Sequence, residues 1–345
     1  MAQSSPSASP TIAGSKPAGL DGRWLAAGVF AAAATIALIS GTKIHYGIAY
    51  LILPEMGSLA YGVFTHPGGA WARAPLQLVL MPSLVAIVGT LIARNLPYGY
   101  VSILLAVGLG VLVLRSCRSP IAPAISCGLL PVVFDLKDWW YPIDVLTTTL
   151  VLMLALSIWQ RLPAVAARSC SLGPKPPRPA PSHNAREPVI PGLIGLAVFL
   201  VLAVSLVKAT DLRLLLVPPL GVLAVEMFKH PRTSPWANRP LWLVPLVCFL
   251  SAGVGVAAFE MLPLGPLVAA TAICGTGVIL WAFRIYLPPA VAISMLPLVM
   301  TDAPPTIFFP LWVGLGVAFF TLCIAAYRHL IERRLPTERS WHRQE

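Results

Sequence analysis

Two glutamates lie inside apolar stretches of the sequence, where a carboxylate is least expected. Glu55 lies in "LPEMGSLAYGVF" and Glu226 lies in "VPPLGVLAVEMF". A charged side chain within a bilayer costs about 3 kcal/mol to insert, so such a residue is a candidate for function, and a desolvated carboxyl can carry a proton. We therefore predict that Glu55 or Glu226 is a proton carrier. For Glu226 the alternative is an ion pair with Lys229 near the membrane surface.

Prolines and glycines interrupt these two stretches and a second pair of passages, "SPIAPAISCGLLP" and "YLPPAVAISMLP". Proline suits the first turn of a helix, where its missing N–H costs nothing. A helix N-terminus offers free N–H groups and about half a positive charge. Pro218-Pro219 and Pro288-Pro289 are therefore predicted to begin short helices, and such helix starts, aimed into a cavity, could bind an anion. The alternative is that the prolines only kink helices for packing. The predicted substrate-binding residues are Pro54, Glu55, Gly57, Pro123, Pro218, Pro219, Gly221, Glu226, Pro288 and Pro289.

Two further pairs of charged or titratable residues stand close to these passages. His66 and His230 each precede a proline, and Arg118 and Arg284 each stand just before a second-pair passage. We predict that all four lie at the cytoplasmic mouth of a pathway, where arginines could draw anions in. The histidines could instead be helix-ending caps, and the arginines could mark only the cytoplasmic side.

The paired passages belong to a longer internal repeat. Pro54 matches Pro218 at an offset of 164 residues, and Gly89 matches Gly255 at an offset of 166. Two single-residue slips over some 80 residues are typical of a duplicated unit, because chance would not align prolines, glycines and an arginine. The sequence therefore predicts two copies of one unit.

Composition places the chain in a membrane. Of its 345 residues, 57% are hydrophobic and only 11% are charged, against about 25% charged in soluble domains. Long uncharged apolar runs indicate transmembrane helices. We expect an all-α, polytopic transmembrane bundle of two tandem parallel repeats with about six apolar segments each. The predicted segments are 24–41, 45–64, 77–94, 98–114, 119–134 and 144–160, then 189–207, 214–228, 241–259, 264–283, 286–301 and 306–327.

These segments divide the chain into five parts. We predict a disordered tail at 1–22, a first transmembrane unit at 23–160, a flexible cytoplasmic linker at 161–188, a second unit at 189–328 and a basic tail at 329–345. The second and fifth segments of each unit are short, so they are expected to be tilted, broken or re-entrant. Short interrupted segments at matching places in two halves are a pointer to a transporter's binding site.

Positive charge predicts the orientation. If all twelve segments cross, all but five of the 24 Lys and Arg residues fall on the side of both termini. The five exceptions are Lys43, Arg94, Lys137, Lys208 and Arg213. This asymmetry predicts cytoplasmic termini and a multi-pass protein of the bacterial inner membrane. It also explains the net charge of +11 without a nucleic-acid partner.

Signatures of other chemistry do not occur in the sequence. It has no GxSxG, HExxH or P-loop motif and no Cys/His cluster with metal-ligand spacing among its six cysteines. We therefore expect no enzyme activity, cofactor or metal, with the lipid bilayer and a small-molecule or anion substrate as partners. A homo-oligomer is left open.

The sequence resembles the HPP family of integral membrane proteins. Members have a Pro-x-Gly passage opening an apolar run, a Ser-Pro-Leu-Ala-Gln-Pro-Arg-like stretch and, later, His-Pro-Pro before a helix. The first is similar to "VPPLGVLAVEMFKHPRTSPWANRP" and the last to "YLPPAVAIS", so the resemblance covers roughly 214–300 and, more faintly, 50–134. The family histidine is replaced by Leu287 and, in the first unit, by Ile121. The residues that match best are Ser234, Pro235, Ala237, Asn238, Pro240, Pro288, Pro289 and Ala290.

The resemblance implies two fused HPP-like units and, because some members are implicated in nitrite transport, a small anion as substrate. Our leading interpretation is a secondary carrier or channel-like transporter for a small solute. The alternatives are a non-transporting sensor or partner-binding subunit that has lost the family motif, and a membrane-embedded enzyme acting on lipid or quinone.

Overall fold

The computed structural model describes residues 22–45, 53–171, 189–210, 216–229, 236, 239–263, 265–299 and 307–334. Within these ranges the chain forms thirteen α-helices and a 3₁₀ turn at Leu296–Leu298, with no β-strand. The prediction of an all-α bundle is confirmed. The helices are α1 Gly22–His45, α2 Pro54–Thr65, α3 Pro75–Asn95, α4 Tyr100–Ser116, α5 Ala124–Phe134, α6 Trp140–Arg161, α7 Pro163–Ser171, α8 Val189–Thr210, α9 Pro218–Lys229, α10 Leu243–Met261, α11 Pro266–Ala282, α12 Pro288–Met295 and α13 Phe309–Arg334.

Six of these helices are long and apolar enough to cross a membrane: α1, α3, α6, α8, α10 and α13. Their outer faces carry exposed leucines and aromatics, such as Phe30 on α1 and Leu193 on α8. Exposed apolar surface of this extent is expected of a protein whose solvent is lipid. The chain is therefore a multi-pass integral membrane protein.

Four short helices fill the interior. The 12 residues of α2 and of α9 rise about 18 Å each, against about 30 Å for the hydrocarbon core of a bilayer. Helices α5 and α12 are shorter still, with 11 and 8 residues. Nearly every residue of the four is buried, including all eight of α12. The predicted short segments are thus enclosed by longer helices.

Contacts between helix ends define two ends of the bundle. At the Gln160 end, Gln160 donates hydrogen bonds to the carbonyls of Pro67 and Ala72, and Trp71 donates one to Pro120. These residues follow α2, precede α3 and α5, and end α6. The chain therefore returns to the Gln160 end after α2, after α4 and at the end of α6.

At the other end, which we call the Asp144 end, Lys43 near the C-terminus of α1 pairs with Asp144 in the first turns of α6. Arg94, in the last turn of α3, donates to the carbonyl of Lys137 between α5 and α6. Helices α2 and α5 thus each lie on a stretch of chain that runs from one end of the bundle to the other.

Equivalent positions of the two units make the same contacts at the Gln160 end. Trp71 Nε1 donates to Pro120 O at 2.8 Å, and Trp236 Nε1 donates to Tyr286 O at 2.7 Å. Just before these carbonyls, Arg118 and Arg284 both adopt left-handed backbone conformations, with φ of 48° and 50°. The duplication stays a prediction, and a duplicated unit would be expected to make the same contacts at equivalent positions.

The long third helix of each unit lies directly against the backbone of the fifth. A Cβ added at Gly89 on α3 would strike the carbonyl group of Gly128 on α5. A Cβ added at Gly255 on α10 would strike the carbonyl group of Ser294 on α12. Only glycine permits this approach, so both positions fix how closely a short helix lies against its neighbour.

The two units interlock rather than stand side by side. Helix α1 packs on α11 and α8 packs on α4, while α2 packs on α12 and α9 packs on α5. Glycines lie at the last two of these contacts. Gly57 on α2 faces Met295 on α12, and a Cβ at Gly221 on α9 would lie 2.9 Å from Leu129 Cδ2 on α5. The four short helices therefore form part of the interface between the units, together with α1 on α11 and α4 on α8.

Three boundaries differ from those expected. Gly22, assigned to the tail, already belongs to α1, and α13 continues through the start of the expected basic tail to Arg334. The first part of the expected linker forms α7, because Pro163 can occupy a first helical turn and the alanines after it favour a helix.

The glycine contacts lead to a stability prediction. Gly89→Ala and Gly255→Ala place a methyl group on backbone that cannot move aside, so each should lower the free energy of unfolding by about 1–3 kcal/mol. Gly108→Ala and Gly253→Ala are matched controls, because a Cβ at either position meets no atom within 4 Å. Thermal unfolding of the purified protein in detergent measures both pairs. Equal midpoints for all four variants would contradict the close approach.

Candidate functional site

Glu55 lies at the start of a buried helix. It is the second residue of α2, its exposed fraction is 0%, and neither carboxylate oxygen has a hydrogen-bond partner within the described part of the chain. The positive end of the helix dipole favours a negative charge at this position, while burial opposes it. The helix start and the burial of Glu55 therefore act on its charge in opposite directions.

Polar groups from three helices lie near Glu55. Ser58 follows one turn later on the same face of α2, and its hydroxyl also lacks a partner among the described residues. Glu55 lies within electrostatic range of Cys127 on α5 and Tyr141 on α6. The Tyr141 hydroxyl donates a 2.6 Å hydrogen bond to the carbonyl of Cys127, which ties α6 to α5 at this level.

A buried ion pair lies next to this group, toward the Asp144 end. Lys43 Nζ is 2.7 Å from Asp144 Oδ1 and 2.8 Å from Oδ2, and each side chain is only 10% exposed. Thr148, one turn further along α6, donates to Asp144 Oδ1 at 3.5 Å. We call Lys43, Glu55, Tyr141 and Asp144 the first-unit cluster.

Sequence reasoning missed three members of this cluster. It placed Lys43 between the first two predicted segments and Asp144 at the first position of the sixth, and it gave Tyr141 no role. In the structure α1 extends to His45 and α6 begins at Trp140, so both charges belong to helices. One signal was available, because Pro142 in "WYPID" is typical of a first helical turn and brings Asp144 into the helix.

The predicted prolines all stand at helix starts. Pro54, the pair Pro218-Pro219 and the pair Pro288-Pro289 begin α2, α9 and α12. Pro123 is the residue before α5. Their part in substrate binding stays a prediction, as does that of Gly57 and Gly221, whose contacts show that they bring helices together.

The helix starts point to opposite ends of the bundle. Gly57 near the start of α2 faces Met295 at the end of α12, and Tyr61 further along α2 stacks on Tyr286, which precedes α12, at 5.9 Å. Helices α2 and α12 are therefore antiparallel. The start of α2 faces the Asp144 end and the start of α12 faces the Gln160 end. One anion therefore could not contact both helix starts, which a single shared binding cavity would require.

The remaining predicted residues have plainer surroundings. Glu226 is half-buried near the C-terminus of α9, and no ion pair joins it to Lys229 among the described side chains. His66 is the C-cap of α2 and contacts the Tyr286 ring edge-on at 4.4 Å. Arg118 and Arg284 are exposed at the Gln160 end. His230 lies outside the described residues.

Comparison with protein-family models, curated proteins and solved structures found no match to this chain. The resemblance to the HPP family therefore stays a prediction. In the structure, Leu287 and Ile121, which replace the family histidine, are both fully buried.

The surroundings of Glu55 predict an effect on stability. Glu55→Met replaces a buried polar group without a described partner by an apolar one of similar size, so the free energy of unfolding should rise by about 1–3 kcal/mol. Glu226→Met is the matched control on α9, where the half-buried side chain should give little change. Thermal unfolding in detergent measures both. A lower midpoint for Glu55→Met would show that the carboxyl helps to hold the fold together.

Proposed function

We propose that the chain is a membrane transporter, a secondary carrier or channel-like protein for a small solute, with a small anion such as nitrite as the candidate substrate. The observation that carries the proposal is Glu55, a fully buried carboxyl without a described partner at the start of a short enclosed helix. Such a residue destabilises the fold, so a function must explain it.

Glu55 gives the proposal a coupling mechanism. The free N–H groups at the start of α2 attract an anion, and an ionised Glu55 beside them repels it. An anion can therefore bind at this helix start only when Glu55 holds a proton. In this scheme the anion and the proton move together, and the proton gradient drives uptake. Glu226 remains the second candidate proton carrier.

The antiparallel short helices supply anion-attracting helix starts toward both ends of the bundle. Arg118 and Arg284 lie exposed beside the starts of α5 and α12 and would draw anions to the Gln160 end. Rocking of one unit against the other would then expose the interior to each end in turn. The excess of basic residues makes the Gln160 end the cytoplasmic one in this proposal.

A non-transporting sensor or partner-binding subunit is the second candidate. It is favoured by the tight contact of Gly57 with Met295 and by the buried Leu287 in place of the family histidine. Both features describe a tightly packed interior. A non-transporting subunit can keep such an interior closed, whereas a transport pathway has to open it.

The proposed function leads to a transport prediction. Proteoliposomes containing the purified protein should take up one member of a panel of nitrite, nitrate, formate, bicarbonate and chloride saturably, and faster with an inward proton gradient. Glu55→Gln, which is always neutral, should remove the response to the gradient, and Arg284→Ala should lower the rate. Arg161→Ala is the control, because Arg161 is also exposed at the Gln160 end.

Uptake that is unaffected by Glu55→Gln would contradict the coupling mechanism. Absence of uptake of every anion, in sealed vesicles with correctly inserted protein, would favour the sensor or partner-binding function.

A further inference from the structure

The first-unit cluster has no counterpart in the second unit, although the surrounding helices do. Lys43 corresponds to Val207 and Glu55 to Pro219 at the offset of 164. The last helices of the two units align through Trp159 and Tyr327, which contact Phe64 and Phe228 respectively. In that alignment Tyr141 corresponds to Phe309 and Asp144 to Trp312.

This asymmetry separates the fold from the chemistry. Phe309 is as fully buried as Tyr141, so the position needs an aromatic ring but no hydroxyl group. The second unit makes equivalent helix contacts with apolar residues at all four positions. The fold therefore does not require a lysine and two carboxylates in its interior, and the first unit keeps them for another reason.

The three charged residues of the cluster cannot all be paired at once. Helix α1, which carries Lys43, packs against both α2 with Glu55 and α6 with Asp144. In this structure the ammonium group of Lys43 contacts both carboxylate oxygens of Asp144. An ionised Glu55 would then be a buried charge without a counter-charge, which is strongly unfavourable. A proton on Glu55 makes the cluster neutral.

The other groups near Glu55 do not change this balance. Cys127 on α5 and Tyr141 on α6 lie within electrostatic range of Glu55, and the Tyr141 hydroxyl donates its hydrogen to the backbone carbonyl of Cys127. Helix α12, which also packs on α2, carries no titratable or charged residue between Pro288 and Leu298. Helix α1 also carries His45 in its last turn, but that side chain is exposed. Lys43 and Asp144 are thus the other buried charged residues on the described helices that pack on α2.

We propose that the first unit holds one exchangeable proton on Glu55, reached from the Asp144 end, and that the pairing of Lys43 with Asp144 keeps Glu55 protonated. Lys43 and Asp144 are positioning residues: while they bind each other Glu55 keeps its proton, and when Lys43 turns toward Glu55 the proton leaves. The second unit has no counterpart of this site at the equivalent positions. This deepens the proposed function, but the site can be tested without transport.

The test is labelling of the full-length protein in lipid nanodiscs by a hydrophobic carbodiimide, which reacts with protonated carboxyl groups in apolar surroundings. Mass spectrometry of the Glu55 peptide measures the adduct across a series of pH values. We expect Glu55 to be labelled and the labelling to fall as the pH rises, because the ionised carboxylate does not react. Glu55→Gln should remove the adduct, and Glu226 is the comparison carboxyl in the same chain.

Three variants distinguish positioning from a merely structural ion pair. Asp144→Asn leaves Lys43 to stabilise an ionised Glu55, so labelling should fall by about tenfold, the effect of one unit of pKa. Lys43→Met removes that cation, so labelling should persist to higher pH than in the native protein. The double variant Lys43→Met/Asp144→Asn removes both members of the ion pair, so neither leaves an unpaired charge behind. Strong labelling should then return.

The outcomes separate the proposals. Labelling that is absent at every pH would overturn the proton site. Labelling that is equal in the native protein and Lys43→Met across the series would overturn the role of the ion pair, and this comparison remains available if Asp144→Asn does not fold. Protection of Glu55 by sodium chloride but not by choline chloride at fixed pH would replace the proton by a sodium ion. Labelling as expected without anion uptake would keep the proton site and reject the proposed substrate.

Discussion

A helix that begins inside an apolar layer has backbone N–H groups with no water to bind, and the rest of this structure depends on how they are covered. Four short helices begin in this way, and prolines at or next to their starts remove some of the unpaired donors. The longer helices then enclose them, so their starts face protein rather than lipid. The same enclosure keeps a polar group such as Glu55 away from lipid and makes a ligand or a proton the natural partner for it.

Glycine sets how tightly this enclosure can close. Gly89 and Gly255 let the long third helices lie directly on the backbone of α5 and α12, and Gly57 and Gly221 bring the short helices of the two units together. The architecture therefore depends on backbone contacts that are alike in both units, while the chemistry depends on side chains present in one. Two units with the same backbone contacts can therefore differ in the chemistry of their side chains.

Much of the fold could be predicted from the sequence, because the signals are local. Apolar run lengths predicted the long helices, and paired prolines predicted the starts of α9 and α12, whereas α2 begins nine residues later than its predicted segment, at Pro54. The candidate site was only partly predictable. Glu55 stood out by its apolar neighbours, but Lys43 and Asp144 are separated by 101 residues and meet only through packing of α1 on α6. The antiparallel arrangement of α2 and α12 could not be predicted either. A sequence indicates where a helix starts, but it does not indicate which other helix it packs against.

The central claim is that the two units interlock, with α1 of the first unit packed on α11 of the second. A Cβ built at Gly41 lies 3.9 Å from Pro266 Cβ, within the range of about 3.5–4.5 Å that a disulfide requires. The measurement is disulfide formation in Gly41→Cys/Pro266→Cys, in a chain whose native cysteines are replaced and which carries a protease site between 172 and 188. After oxidation and cleavage, we expect a single band on a gel, and this band should separate into two halves only when reductant is added. Two separate halves without reductant, from protein that is folded before cleavage, would contradict it.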